Sequence, residues 1–310
     1  MTERDSLVNL TNLLAQPKRL QAEASQLQRS TAWDTMASRG FRGFKQYGIY
    51  FAGMWIGGLR YGEQADLIRS GCFYWRWVDD VADGDRPLPK GYTTRREFLQ
   101  RRDSVANLLF FHSEETIYGD REDILLAHYY FLARKRGIDL TRESFDILES
   151  IVWDEERARN RRVLTQQELN DGLNKLDFAC IDGGFKVAEE SYSSQDLFAL
   201  SWAVRTMFNL RDFPKDFAKG IINISAEDIE RYEVDLTRLE GRSTIEELID
   251  YGSTRDWYRD QIRYGKNFLD QALSTLGHLR LKWISRAVVN VNFVGPTQRN
   301  LDKYAAMLAV

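Results

Sequence analysis

The sequence is poor in the residues that build disulfide frameworks and zinc sites. Only two cysteines, Cys72 and Cys180, occur in 310 residues, and both fall inside apolar helical patterns. Two cysteines make no disulfide framework, so we expect a reducing, cytoplasmic location. The three histidines, at positions 112, 128 and 278, show no metal-ligand spacing, which argues against a zinc site.

Long apolar runs and an excess of positive charge are also missing. No run of 18 apolar residues occurs, and the opening MTERDSLVNL has no basic stretch before an apolar run. We therefore expect neither a membrane span nor a signal peptide. The net charge of −3 argues against a nucleic-acid partner. A local basic cluster fits a small anionic ligand better than a polymer; it comprises Arg157, Arg159, Arg161 and Arg162.

Proline is scarce, and its placement favours long helices. The five prolines leave the stretch between Pro89 and Pro214 uninterrupted. That stretch is rich in Leu, Glu, Arg, Gln and Ala, and its apolar residues recur at intervals of three and four. The sequence therefore predicts an all-α protein, a single-domain helical bundle over residues 1–310. Residues 1–40 form an N-terminal helical extension, for which packing on the bundle and homodimerisation both stay open.

Periodicity and helix-breaking residues set the expected helix bounds. The predicted helix ending at Asp83 stops because Gly84-Asp85-Arg86-Pro87 follows it. The predicted helices cover residues 6–29, 42–55, 62–83, 93–111, 120–135, 141–159, 166–190, 194–212, 226–232, 243–275, 278–292 and 297–308.

Three aspartates end the predicted helix 62–83. Asp79 and Asp83 are four residues apart and Asp80 and Asp83 are three apart, so all three carboxylates project toward one side. Like charges this close repel unless a cation lies between them, and carboxylate oxygens suit Mg²⁺, which often bridges them to substrate phosphates. Solvated acids at a helix C-terminus are the alternative, which the helix macrodipole disfavours. The pattern therefore predicts a magnesium site.

A second acidic pair lies late in the chain. Asp212 and Asp216 are again four residues apart, and Arg211, Lys215 and Lys219 lie close by in the sequence. A bound diphosphate needs both metal ions and direct cationic contacts. An exposed helix with salt bridges between successive turns is the alternative. Two such motifs in one all-α chain favour a diphosphate site more strongly than either motif alone.

These residues resemble the squalene/phytoene synthase family of isoprenoid synthases. Residues 75–83, WRWVDDVAD, are similar to the first aspartate-rich motif of that family. Residues 209–220, followed by 229–232, resemble its second motif and the segment after it. Residues 148–159 resemble a third family helix, which carries an acid with arginines three and five residues later. The resemblance spans roughly residues 45–235.

The resemblance implies an isoprenoid synthase fold whose two motifs face each other across a central cavity. It also implies that Mg²⁺ and a prenyl diphosphate bind there. The implied metal ligands are Asp79, Asp80, Asp83, Asp212 and Asp216. The implied diphosphate contacts are Arg157 and Arg211, with Arg76, Lys219 and Asn209 as further candidates.

Several residues depart from the family pattern where the cavity wall is expected. A Ser-Phe pair upstream of the first motif is missing from residues 47–58, and Phe208 takes the place of an asparagine, which is shifted to Asn209. Bulky and charged residues would shorten a tunnel and make it polar, whereas a long prenyl tail needs a continuous apolar one. The departing wall residues are Ser150, Trp153, Asp182, Phe185, Lys186 and Phe208.

The departures favour an aromatic acceptor over a second prenyl diphosphate. Some squalene-synthase-like enzymes prenylate carbazole-type aromatics, and this chain looks closer to that type. The hypothesis is a Mg²⁺-dependent prenyltransferase of secondary metabolism with a short allylic donor and a carbazole- or indole-type acceptor. Asp182 would orient the acceptor or take the ring proton, with pairing to Lys186 as the alternative. Candidates to hold the allylic cation, for which core packing is the alternative, are Trp75, Trp153 and Phe208.

Two other functions stay open. Head-to-head condensation of two farnesyl or geranylgeranyl diphosphates is the usual reaction of the family, but the missing Ser-Phe pair and the charged Asp182 speak against it. A non-catalytic assembly factor of the same fold is the other, and the presence of all five motif aspartates speaks against it.

Overall fold

A computed structural model describes residues 7–38, 55, 61–112 and 114–308. These residues are predominantly helical, which confirms the all-α prediction. The predicted helix 42–55 and the segment 47–58 lie, apart from Trp55, outside the described residues. Backbone proximity divides the chain into two compact units. Unit 1 comprises residues 1–152 and 186–189, and unit 2 comprises residues 153–185 and 190–310.

The helices are numbered in chain order. They are α1 (Leu10–Leu14), α2 (Pro17–Ser38), α3 (Glu63–Ala82), α4 (Arg95–Phe111), α5 (Asp123–Lys135), α6 (Thr141–Asn160), α7 (Gln166–Ala188), α8 (Phe198–Lys219), α9 (Ala226–Arg231), α10 (Ile245–Ile249), α11 (Gly252–His278), α12 (Trp283–Val289) and α13 (Gly295–Leu308). Short 3₁₀ turns cover Ser194–Leu197 and Leu236–Leu239, and a π-helical turn covers Asn290–Val294.

Most helix bounds agree with the predictions to within a few residues, and the exceptions have physical causes. The predicted helix 6–29 is two helices, because Pro17 begins α2 at the first helical position, where its missing N–H costs nothing. The predicted helix 194–212 extends to Lys219, because α8 continues through Pro214. The predicted helix 243–275 is α10 and α11, each with its own start.

In unit 1, α5 is the central helix and packs against α1, α2, α3 and α4. Helices α3 and α5 lie close together at Gly71, where an added Cβ would lie 2.7 Å from the ring of Tyr129. Glycine in the middle of a helix is therefore required here by packing, although it costs helix stability. A two-residue antiparallel pair joins β1 (Val8–Asn9) to β2 (Tyr118–Gly119), with Val8 opposite Gly119.

In unit 2, α8 and α11 pack along each other and α13 packs against both. Their buried faces form one hydrophobic core, in which Phe213, Tyr258 and Leu301 are fully buried. The apolar residues of α8 recur at intervals of three and four, which is the pattern that predicted the helix. Unit 2 thus fixes α8, the helix that carries the second acidic motif.

Proline 214 lies inside α8 without ending it. A proline has no N–H, so the carbonyl of Leu210, four residues earlier, loses its usual helical donor. The Tyr258 hydroxyl, from α11, donates a hydrogen bond to that carbonyl at 3.1 Å. Burial raises the pKa of Tyr258, which keeps its proton on the oxygen. A side chain from a neighbouring helix therefore replaces the missing backbone donor.

Candidate functional site

The first acidic motif forms the last turn of α3 in unit 1. Asp79 is half-exposed, with 40% of its side chain accessible, whereas Asp80 is 2% accessible. Asp83 caps the C-terminus of the helix and is half-buried. The three carboxylates predicted to act together therefore differ sharply in burial, because neighbouring residues of one helix turn point in different directions.

The buried carboxylate of Asp80 lies between two arginines. Arg76, one turn earlier on α3, approaches one carboxylate oxygen to 2.8 Å, and Arg86, from the following loop, approaches the other to 3.4 Å. Arg76 also lies 3.5 Å from Asp79. A buried carboxylate needs such partners, because an unpaired charge in the interior is costly. Both oxygens of Asp80 thus already face a cation from the same unit.

A glycine turn brings Arg86 to this place. Gly84 follows the helix with φ +77°, a left-handed conformation that glycine adopts without strain. The chain then turns back, and the Arg86 N–H donates to the carbonyl of Asp80 at 2.8 Å. The Arg86 guanidinium also donates to the Thr35 hydroxyl of α2 at 3.1 Å. Arg86 is therefore held to Asp80 through both its backbone and its side chain.

A buried ionic cluster packs against α3 in the turn that precedes the motif. Arg102 of α4 is fully buried, lies 2.7 Å from Asp123 and 2.6 Å from Asp120, and stacks over the ring of Trp77 at 5.3 Å. The Tyr74 hydroxyl donates to Asp123 at 3.1 Å. Burial raises the pKa of Asp123 even though Arg102 opposes the shift. The cluster fixes Tyr74 and Trp77, and with them the helix turn that precedes the aspartates.

The second motif lies on α8 in unit 2. Its polar residues recur at intervals of three and four, which puts them on one face of the helix. Asp212 is 37% exposed and pairs with its neighbour Arg211, whose two nitrogens donate at 2.8 and 2.5 Å. Arg211 in turn lies over the ring of Phe208 at 4.6 Å. The half-buried residues on this face are Asn209, Asp212, Asp216 and Lys219.

Asp216 is linked to Arg157 through one asparagine. The Asn223 side-chain amide donates to Asp216 at 3.0 Å, and its oxygen accepts from Arg157 at 2.7 Å. Arg157 also donates to the Ile222 carbonyl at 2.8 Å and to Asp154 at 3.0 Å. The structure therefore brings together Arg157 and Asp216, two of the residues predicted to form a diphosphate site.

Arg157 is buried beneath an aromatic ring. Its side chain is 3% accessible, and its guanidinium lies 4.3 Å from the ring centre of Trp153. Trp153 has room because residue 172 of α7 is glycine: an added Cβ would lie 2.4 Å from the indole. Burial lowers the pKa of Arg157, and Asp154 opposes that shift, so the guanidinium stays charged. Among the described residues, its Nε–H has no acceptor.

The acid predicted to contact the acceptor has a capping role. Asp182 accepts from the Ser194 backbone N–H at 2.5 Å and from the Ser194 hydroxyl at 2.9 Å. Lys186 lies 2.7 Å from Glu143 and donates to the Asp139 carbonyl at 3.0 Å. Asp182 and Lys186 therefore each have partners within their own unit.

The aromatic residues predicted to hold an allylic cation pack against arginines or against another aromatic ring. Trp153 and Phe208 each cover an arginine, as described above. Trp75 is 9% accessible and packs edge-on against Tyr74 at 4.8 Å. Phe185, another of the wall residues, belongs to the buried core of unit 2. Two of the three candidate aromatics thus already bind cations, in the form of guanidinium groups.

The donor chemistry of both motifs fits magnesium. Their potential ligands are carboxylate oxygens, which Mg²⁺ prefers, and Asp79 with Asp83 and Asp212 with Asp216 each repeat one helical turn apart. Within the described ranges no group of three or more His, Cys, Asp or Glu side chains is arranged as a metal site. Asp79 and Asp83 would supply oxygens in unit 1, and Asp212 and Asp216 in unit 2.

Three residues of these networks were missed by the sequence analysis. Asp154 lies three residues before Arg157 in the segment that resembles a family helix. That spacing could have predicted its ion pair with Arg157. Arg86 was noted only as part of a helix stop. The role of Asn223 could not be predicted from a local pattern, because it bonds to Arg157, 66 positions earlier, and to Asp216, 7 positions earlier.

Comparison with known proteins adds no family assignment. No protein-family model, no curated protein and no solved structure matches the chain. In the part of the chain that the structure describes, every helix is too short or too polar to cross a membrane.

Proposed function

We propose that this protein is a Mg²⁺-dependent prenyltransferase that ionises an allylic prenyl diphosphate and transfers the prenyl group to an aromatic acceptor. The observation that carries the proposal is the pairing of carboxylates with arginines in both acidic motifs. Asp80 lies between two guanidinium groups, and Asp216 is joined to Arg157 through Asn223. Sites for metal-bound diphosphates combine these two kinds of side chain, since oxygens hold the metal and guanidinium groups hold the phosphates.

The roles divide by exposure. The half-exposed Asp79, Asp83, Asp212 and Asp216 would bind the metal ions. Arg211, 35% exposed at its side chain, is the more accessible of the two predicted phosphate contacts, whereas Arg157 is 3% accessible. Magnesium, when bound, neutralises charge on the diphosphate as it leaves.

The reaction breaks the bond between the allylic carbon and the diphosphate oxygen, and the electron pair leaves with the diphosphate. The π electrons of the aromatic acceptor form the new carbon–carbon bond, and the ring then loses a proton to restore its aromaticity. Both oxygens of Asp182 accept hydrogen bonds from Ser194. We therefore assign Asp182 to the structure of that turn, and the released diphosphate is the chemically competent base for the ring proton.

The direct test is product formation by purified protein. Protein, Mg²⁺ and dimethylallyl or geranyl diphosphate are incubated with a hydroxylated carbazole or an indole, and products are identified by mass spectrometry. We expect a prenylated aromatic and free diphosphate. Squalene or phytoene formed from longer diphosphates, with no prenylated aromatic, would replace this proposal by head-to-head condensation.

Variants separate the metal ligands from the fold. Asp79→Asn with Asp83→Asn should abolish turnover and weaken Mg²⁺ binding, while Asp103→Asn, which removes an exposed acid of α4 in unit 1, should change neither. Asp80→Ala is a poor probe, because it removes a buried charge that two arginines surround. If turnover survives the Asp79/Asp83 double substitution, the metal assignment is wrong.

A further inference from the structure

Arg86 lies beside Asp80 of the first acidic motif, where its positive charge would compete with a bound metal ion. Its Nε lies 3.4 Å from one oxygen of Asp80, and Arg76 takes the other oxygen at 2.8 Å. Asp80 is 2% accessible and Arg86 is 18% accessible. A carboxylate this buried must be balanced by a positive charge, and here the protein itself supplies two.

The position of Arg86 is fixed by its surroundings. The left-handed Gly84 turns the chain, the Arg86 N–H bonds to the Asp80 carbonyl at 2.8 Å, and the guanidinium bonds to the buried Thr35 hydroxyl at 3.1 Å. These contacts come from the motif itself and from α2. An arginine held by these two hydrogen bonds has already lost part of its conformational freedom, so its pairing with Asp80 costs less further entropy.

We propose that Arg86 is a built-in counter-ion of Asp80, which a magnesium ion displaces when it binds the first motif. This inference rests on the proposed function, since it assumes that the motif binds Mg²⁺. A Mg²⁺ ion bound by Asp79 and Asp83 would take Asp80 as a further ligand, in the place that Arg86 holds in the metal-free motif, so each cation weakens the binding of the other. Displaced from Asp80, the Arg86 guanidinium remains tethered to the loop beside the motif, within reach of an anionic partner of the metal.

Competition between Arg86 and Mg²⁺ predicts a result that is not expected if Arg86 only stabilises the turn or only binds phosphate. Arg86→Gln keeps a polar group that can bond to Thr35 but removes the charge. In the absence of metal, its Tm should fall, because Asp80 loses a counter-ion. Its affinity for Mg²⁺ alone should rise, on the order of fivefold, because a competitor worth one partly exposed ion pair is gone. Isothermal titration with Mg²⁺, repeated with Mn²⁺ by electron paramagnetic resonance, measures this.

Arg95→Gln is the matched control. Arg95 bonds to the Val81 carbonyl at 3.3 Å and covers Gly84, so it contacts the backbone of the same turn and not the carboxylate. This variant should lose some stability and keep the wild-type affinity for Mg²⁺. If both variants change Mg²⁺ affinity equally, the effect belongs to the turn and the inference is overturned.

Two further outcomes separate this inference from the proposed function. Wild-type protein that binds neither Mg²⁺ nor Mn²⁺, with or without inorganic pyrophosphate, would contradict the proposed function and this inference with it. Wild-type protein that binds Mg²⁺, with Arg86→Gln binding it equally or more weakly, would overturn only the counter-ion role. A metal-free thermal cycle of Arg86→Gln with Asp80→Asn adds an independent measurement: additive losses of stability would also overturn the pairing.

Discussion

The two acidic motifs share a spacing but not an environment. At the end of α3 the chain turns back at Gly84, and Asp80 is enclosed between Arg76 and Arg86. On α8 the helix continues past Asp212, so both of its acids stay half-exposed. The i, i+4 spacing fixes which side of a helix the carboxylates face. The acids at this spacing are half-exposed in both motifs, and the buried Asp80 is what sets the first motif apart.

The arginines differ in the same way. In unit 1 the arginines bond to the motif carboxylate directly. In unit 2 Arg211 bonds directly to Asp212, whereas the buried Arg157 is joined to Asp216 through the side chain of Asn223. The amide of Asn223 therefore joins the two side chains by hydrogen bonds. The comparison predicts that, among the arginines at the two motifs, disturbing Arg157 affects stability most, because its side chain is the most buried of them.

The largest effect is expected from Arg157→Met. The substitution removes the donor to the buried Asn223 oxygen and Ile222 carbonyl, and one partner of the partly exposed Asp154. We expect a loss of about 3–5 kcal/mol in the free energy of unfolding, measured by urea denaturation. Arg159→Met is the control, because Arg159 is 47% exposed and lies 3.6 Å from Glu155, so its loss should be within about 1 kcal/mol. Equal losses would contradict the difference in burial.

In unit 1 the support of α3 should depend on pH. His128 lies 2.7 Å from the Ser70 hydroxyl of α3 and 2.8 Å from Gln21, and burial lowers its pKa to about 4. The unfolded histidine keeps a pKa of about 6.5, so the unfolded state binds the proton first. The contribution of neutral His128 to the free energy of unfolding is complete above pH 6.5. It is lost as the pH falls toward 4, by about 3 kcal/mol in all.

The measurement is the difference between unfolding free energies of wild type and His128→Gln across pH 4 to 7. Other groups titrate in both proteins and cancel in the difference. A difference that does not change with pH would show that His128 is not held neutral in the folded protein.

A smaller effect is expected at the glycine beneath Trp153. Gly172→Ala puts a Cβ 2.4 Å from the indole, which must move and carry Arg157 with it. Overpacking should cost about 1–3 kcal/mol. Gly184→Ala, in the same helix α7, meets nothing within 4 Å and should be neutral or stabilising by up to about 1 kcal/mol. Thermal unfolding of the two variants side by side tests whether Trp153 fixes Arg157; a stable Gly172→Ala would contradict it.

The smallest effect concerns the helix that passes through Pro214. Tyr258→Phe removes the only side-chain donor that the structure gives to the Leu210 carbonyl among the described residues, at a cost of about 1 kcal/mol. In a Pro214→Ala background the alanine N–H can make that bond, so the same substitution should cost less. A double-mutant cycle measures the coupling, and strict additivity would contradict it.

Much of the fold could be predicted from the sequence, because helices depend on local periodicity and breakers. The end of α3 before Gly84 and the start of α9 after Ser225 were both readable in this way. The continuation through Pro214 was not, since it depends on a tyrosine 44 positions after the proline, and such a partner leaves no local pattern.

The sequence indicated which residue types lie at the candidate site but not the environment of each. The spacing of Asp79, Asp80 and Asp83 placed them on one helix turn but did not predict that Asp80 alone is buried. The roles of Asn223 and Arg86 depend on where loops return to their helices, which composition and periodicity do not encode. Asp182 shows the reverse case, because a charge that looked functional in sequence caps a neighbouring turn.

Because the chain turns at Gly84, the first acidic motif that should be compared between sequences extends beyond its last aspartate. If Arg86 belongs to the first motif, the motif is not five residues long but eight, from Asp79 to Arg86, with a fixed glycine between its acids and its base. A single insertion or deletion between Gly84 and Arg86 would keep every aspartate and still remove the arginine from Asp80. A search pattern built on the acids alone would therefore group together chains whose metal-free states differ.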